Sequence, residues 1–171
     1  MAGQTYADLG VASGNDRTNY IEIKNDYTFT AVKTNLTNTN PVTGIRAIQN
    51  NDGTGTTKTG IGPNAHVVIK GDYVADITAA YGNGVYVSGQ DSETRAMPLV
   101  ELLGDTKITL HGGGNALHIG KKDRSIGTFY IVRDGWGAGQ INFGSKSKVN
   151  IDQSDAKGEA IVLAYGGSKL E

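Results

Sequence analysis

A unit of three short strands separated by turns recurs three times along this 171-residue chain, and no other feature restricts the fold as strongly. Its middle strand reads Asp76-Ile77-Thr78-Ala79, then Lys107-Ile108-Thr109-Leu110, then Lys148-Val149-Asn150-Ile151. Each alternates polar and apolar residues, the period of a strand with one buried face. After a glycine-bearing turn comes Gly84-Val85-Tyr86-Val87, Ala116-Leu117-His118-Ile119 or Ala160-Ile161-Val162-Leu163. Ahead of each unit runs an apolar strand closed by glycine: Val67 to Gly71, Val100 to Gly104, and Ile141 to Gly144. A weaker earlier copy lies in Phe29-Thr30-Ala31-Val32 and Gly44-Ile45-Arg46-Ala47. The distance between units varies while strand length holds, so the strands are expected to stack and the turns to point into solvent.

One such unit cannot bury its apolar side alone, whereas stacked copies share a continuous core. The expected fold is therefore all-β, a parallel solenoid with three strands per repeat and about four repeats over residues 28–171. Residues 1–27 are expected to cap or lead into it, shielding open strand edges. Ile77, Ile108 and Val149 are expected to form one inward ladder, and Val85, Leu117 and Ile161 another. Ala79, Leu110 and Ile151 should point inward beside the first. Gly71, Gly104 and Gly144 are placed at corners that need a positive φ. An immunoglobulin-like sandwich does not repeat its own sequence at this spacing. A propeller's blades carry Trp-Asp or aromatic signatures that do not occur here.

Composition agrees and removes several functions. Glycine supplies 25 residues and proline 3, a turn-rich chain rather than a proline-rich linker. Lys and Arg (16) nearly balance Asp and Glu (17), giving a net charge of -1 and no cationic face for nucleic acid. The one basic run, Lys121-Lys122-Asp123-Arg124, reads as a solvated loop. No cysteine is present, hence no disulfide and no thiolate metal site. No apolar stretch is long enough to insert as a membrane helix. Met1-Ala2-Gly3-Gln4 lacks the apolar core of a signal peptide. Met1 to Gly3 and Leu170-Glu171 read as remnants around an excised fragment.

Units such as Thr106 to Gly120 and Ser147 to Leu163 resemble the passenger regions of bacterial autotransporters, adhesin-type right-handed parallel β-helices of the pectin-lyase-like kind. The resemblance covers roughly residues 28–166. It implies secretion, a bacterial cell-surface or extracellular station, and adhesion to host or bacterial surface glycans or proteins, or to other copies of the same chain. Some such β-helices are polysaccharide lyases or hydrolases, which cluster acids on one face. Here the acids are scattered, and no enzyme or cofactor is expected. Asp72 and Asp105 occupy equivalent corners, with Ser145 as the third equivalent, and read as turn-capping residues bonded to their own backbone. His111 and His118 flank Gly112-Gly113-Gly114 without a third metal ligand. Asp152, Asp155 and Glu159 read as a hydrated acidic turn rather than a calcium site. Threonines such as Thr54, Thr56, Thr57 and Thr59 are too irregular for an ice-binding array.

Two long segments depart from the repeat. Asn50 to Asn64 is polar and has no aromatic anchor. Thr128 to Val132 reads as an extra strand, followed by the glycine-rich Arg133 to Gly139. That loop carries Trp136, the only tryptophan, beside Arg133 and Asp134. Trp and Arg are enriched where binding energy concentrates, and an indole stacks on sugar rings. Trp136, Arg133 and Asp134 are the expected ligand-binding residues, against the alternative that the indole folds back onto the flank.

Overall fold

The structure, a computed structural model, describes residues 10–13, 20–33, 42–49, 65–88, 98–120, 139–163 and 168–171. Its described residues hold thirteen strands and no helix. They are β1 (Gly10–Ser13), β2 (Tyr20–Ile23), β3 (Tyr27–Val32), β4 (Val42–Gln49), β5 (His66–Ile69), β6 (Tyr73–Ser88) and β7 (Leu99–Leu102). There follow β8 (Thr106–Ile119), β9 (Gln140–Phe143), β10 (Val149–Asp152), β11 (Ala156–Lys157), β12 (Ile161–Leu163) and β13 (Lys169–Leu170).

Two sheets form. The first runs β1-β4-β6-β8-β10, with β3 also on β6 and with β11 and β12 also on β8. The second runs β13-β9-β7-β5-β2. Every pairing is parallel, and the chain returns to the same sheet one repeat later. Tyr20–Ile23, counted above with the leading segment, pair residue for residue with His66–Ile69. Leu170, read above as a remnant, pairs with Ile141 and packs against the core.

The expected three-strand repeat is not what forms. The strands read at Asp76–Ala79 and Gly84–Val87 are parts of one continuous β6, and their counterparts are parts of one β8. The intervening glycines act as a bulge inside a strand. Ala79 pairs with Gly112 and Gly82 with Gly114, so β6 carries one residue more than β8 across that interval. Gly112 and Gly114 take φ of 97° and 116°, which a side chain resists. A Cβ on Gly114 would also land on the Gly82 carbonyl. Inward positions consequently change phase along β8, from Thr106, Ile108 and Leu110 to Leu117 and Ile119.

The inward set is largely as expected, but its register is shifted by two residues in the first ladder. Ile108 pairs with Ala75 and with Ile151, and Ile77 pairs with Ala31 and Leu110. Val149 pairs with Thr106 and is exposed, and Ala79 meets Gly112 rather than Leu110. A shift of two keeps each residue on its face, so the alternation cannot detect it. The pairing of the second ladder is as read, Ile45–Val85–Leu117–Ile161, with Val85 and Leu117 buried but Ile161 exposed. Ile108, Leu110, Leu117 and Ile119 are fully buried, each contributing about 1.5–3 kcal/mol by removal from water.

Tyr73 was not among the expected core residues, yet it is buried in the middle of it. Its hydroxyl donates to the Gly84 carbonyl at 2.6 Å, which satisfies the polar tip. A Cβ on Gly44 would collide with that hydroxyl, so the glycine makes room for the ring.

Candidate binding surface

Connections from the second sheet to the first are short: residues 24–26, 70–72, 103–105 and 144–148. They stack into one corner. Gly71 and Gly104 have no positive φ; they are glycine because successive turns touch, and a Cβ on Gly104 would strike the Gly71 backbone. In this corner Asp72 N–H donates to Asp26 Oδ1 (2.8 Å) and Asp105 N–H to Asp72 Oδ1 (2.8 Å). Lys148 N–H donates to Asp105 Oδ1 (2.9 Å). Each carboxylate thus caps the turn of the next repeat rather than its own. The residue equivalent to Asp105 is Lys148, not Ser145, because the last of these turns is two residues longer. Asp72 and Asp105 therefore act as fasteners between repeats.

On the outer face of the first sheet, His111 lies between two carboxylates. Its Nδ1 is 2.8 Å from Asp155 Oδ2 and its Nε2 is 3.3 Å from Asp76 Oδ1. The hydrogen bond to Asp155 raises the imidazole pKa above its ordinary value, and the charges of Asp155 and Asp76 act the same way against partial desolvation. The acids sit on opposite sides of the ring and cannot share one ion. Asp152 spends its carboxylate on Ser154 N–H (3.1 Å), which lowers its pKa. Among the described residues no group of three His, Asp or Glu side chains is placed to hold a metal.

His118 belongs to a second outward row. Arg46 pairs with Tyr86 and Tyr86 with His118, and the last two rings meet edge to face at 5.0 Å. Asn115 Nδ2 lies 3.4 Å from His118 Nδ1. The second sheet shows a comparable row, where Tyr20 and His66 meet edge to face at 5.1 Å. His66 Nε2 also reaches Glu101 Oε2 at 2.7 Å. The Tyr20 hydroxyl donates to Glu22, which also pairs with Lys70 at 3.0 Å. These rows were not foreseen, since single residues far apart in sequence meet only once the register is known.

The two histidines flanking the triple glycine do not converge. His111 engages Asp76 on β6 and Asp155 in the turn after β10, and His118 engages an aromatic row. Asp155 goes to His111 while Glu159 N–H goes to Asn115 Oδ1, so the acidic turn is divided between two partners. Trp136, Arg133 and Asp134 lie outside the described residues, as do Asn50 to Asn64 and Lys121 to Arg124. Their positions in the chain are still informative. Connections from the first sheet back to the second span residues 14–19, 50–65, 89–98, 120–139 and 164–168, and residues 33–41 join β3 to β4 within the first sheet. The long departures leave from the first sheet, and the corner fastened by aspartates stays short. Among the described residues no helix is long and apolar enough to cross a membrane.

No protein family, curated protein or solved structure matches this chain.

Proposed function

We propose that this chain is a length of right-handed parallel β-solenoid, the structural and binding segment of a secreted or surface-displayed bacterial adhesin-like protein. Its strands serve as a shaft, and its long connections serve as the contact surface for cell-surface glycans or proteins. The observation that carries this reading is the asymmetry between corners. One set of connections is three to five residues long and held by Asp26, Asp72 and Asp105. The other set ranges from residues 164–168 to residues 120–139, the longest holding Trp136. A scaffold whose longer connections all follow strands of the first sheet can vary its recognition surface without disturbing its core.

The disposition of the acids supports binding rather than hydrolysis. Asp72, Asp105, Asp152 and Asp155 each have a hydrogen-bond partner within the fold.

The test is Trp136→Ala, measured by thermal melting and by binding to a glycan array and to target cells. This reading expects a nearly unchanged melting temperature with binding reduced at least tenfold, a loss of about 1.4 kcal/mol. A large drop in melting temperature would make the indole a packing residue and remove the proposed contact. Cleavage of a glycan polymer that disappears with Asp152→Asn or Asp155→Asn would replace adhesion by catalysis.

A further inference from the structure

His111 has a carboxylate at each ring nitrogen, Asp155 Oδ2 at 2.8 Å from Nδ1 and Asp76 Oδ1 at 3.3 Å from Nε2. The three residues belong to successive repeats: Asp76 to β6, His111 to β8, and Asp155 to the turn between β10 and β11. An ionised carboxylate only accepts hydrogen bonds, and a neutral imidazole has one N–H and one lone pair. Neutral His111 can therefore donate to Asp76 or to Asp155 but not to both, whereas the protonated ring has a donor for each. The side chain is 36% exposed, so its proton exchanges with solvent directly.

We propose that His111 is a proton-operated cross-link: protonated, it ties three repeats together across the outer face of the first sheet, and on losing its proton it lets go of Asp76 while keeping Asp155. The contact lengths decide which bond survives, since the remaining N–H serves the shorter contact, from Nδ1 to Asp155. Nε2 then turns a lone pair toward Asp76, and two acceptors repel. The Asp76 backbone cannot shift to relieve this, because it is paired with Thr30 on one side and Thr109 on the other. Its side chain is 55% exposed and turns into water instead. The Asp155 turn has supports of its own: Ser154 N–H donates to Asp152 Oδ1 (3.1 Å) and Ala156 N–H to the Gln153 carbonyl (3.0 Å). Asp155 is thus held in reach of the ring in either charge state. Other charges lie around the site. Asp152, after which the turn begins, attracts the protonated ring. Lys107 on β8, Lys157 on β11 beside Gly113, and Lys33, whose N–H meets the Thr78 carbonyl, oppose it. The Asp155 hydrogen bond, with the charges of Asp155 and Asp76 behind it, outweighs these lysines and partial desolvation and raises the imidazole pKa.

Long-range proton–nitrogen correlation spectra of the 171-residue chain, recorded from about pH 5 to about pH 9, read both the charge and the tautomer of each histidine. His111→Gln removes one set of signals and so identifies the ring. The proposal expects both His111 nitrogens protonated at the acid end and, at the alkaline end, a single tautomer with its proton on Nδ1. It also expects the titration midpoint to fall in Asp76→Asn and in Asp155→Asn, since each removes one charge that favours the imidazolium. Circular dichroism checks that each variant is folded, and the tautomer in the parent chain decides the matter should a variant fail. A neutral ring protonated on Nε2, or a mixture of both tautomers, would overturn the proposal. So would a midpoint left unchanged by either substitution in a folded variant.

Discussion

Thr106 carries a hydroxyl that finds no hydrogen-bond partner among the described residues, although the side chain is almost wholly buried. It occupies an inward position between Tyr73 and Val149. An unsatisfied buried hydroxyl costs about 1–3 kcal/mol, and valine has the same shape without that cost. Thr106→Val is therefore expected to raise stability by about 1 kcal/mol in urea unfolding. Tyr73 presents the opposite case, because its hydroxyl satisfies the Gly84 carbonyl. Tyr73→Phe should lower stability by about 1–2 kcal/mol with the fold retained, again read from urea unfolding. His111 adds a pH-dependent part. Its pKa is raised in the folded chain, so its contribution is complete below the ordinary histidine value of about 6.5 and is lost as pH rises through the folded value. Melting temperature should therefore fall as pH rises above about 6.5. His111→Gln should remove that portion of the slope while leaving the circular dichroism spectrum unchanged. Counted from the inward Ile108, alternation puts Thr106 inward and His111 outward. It could not supply their neighbours, because Asp76 and Asp155 come from 35 residues before and 44 after.

At the scale of the element, the sequence was legible in phase and incomplete in register. Ile77, Ile108 and Leu110 are inward as the alternation requires, but a period of two repeats itself after two residues and cannot choose between Ile108 and Leu110 as the partner of Ile77. The division into three strands failed for a related reason. Gly82 and Gly112 to Gly114 look like turn residues, and in isolation glycine does mark turns. Here neighbouring parallel strands hold those glycines in line, and they become a bulge that changes which residues face inward. Gly114→Ala should accordingly be much worse than an alanine in a true solvent turn. With its positive φ and its contact with the Gly82 carbonyl, the variant should lose about 2 kcal/mol or more, or fail to fold. A thermal melt indistinguishable from the parent would return this segment to an ordinary turn. Lys148 taught a similar lesson about the corner. The longer turn moved the equivalent position past Ser145, and the hydrogen bond from its N–H to Asp105 identifies it.

Across the whole molecule, an all-β chain of parallel sheets was readable because repetition and alternation encode it directly. The binding residues were not readable in the same way, since Trp136, Arg133 and Asp134 belong to a departure from the repeat and gain no support from it. The central claim is that stretches far apart in sequence stack side by side, in parallel and in the stated register. Thr28, Val74, Lys107 and Asn150 form one such row on the outer face of the first sheet. The chain contains no cysteine, so cysteines introduced at two of these positions can be spin-labelled without background. Neighbouring strands lie about 4.8 Å apart. The account predicts strong dipolar broadening for the 74/107 and 107/150 pairs, with 28/150 separated by about 15 Å of backbone, three strand spacings. Absence of broadening at both 74/107 and 107/150, in a chain that still melts cooperatively, would contradict it.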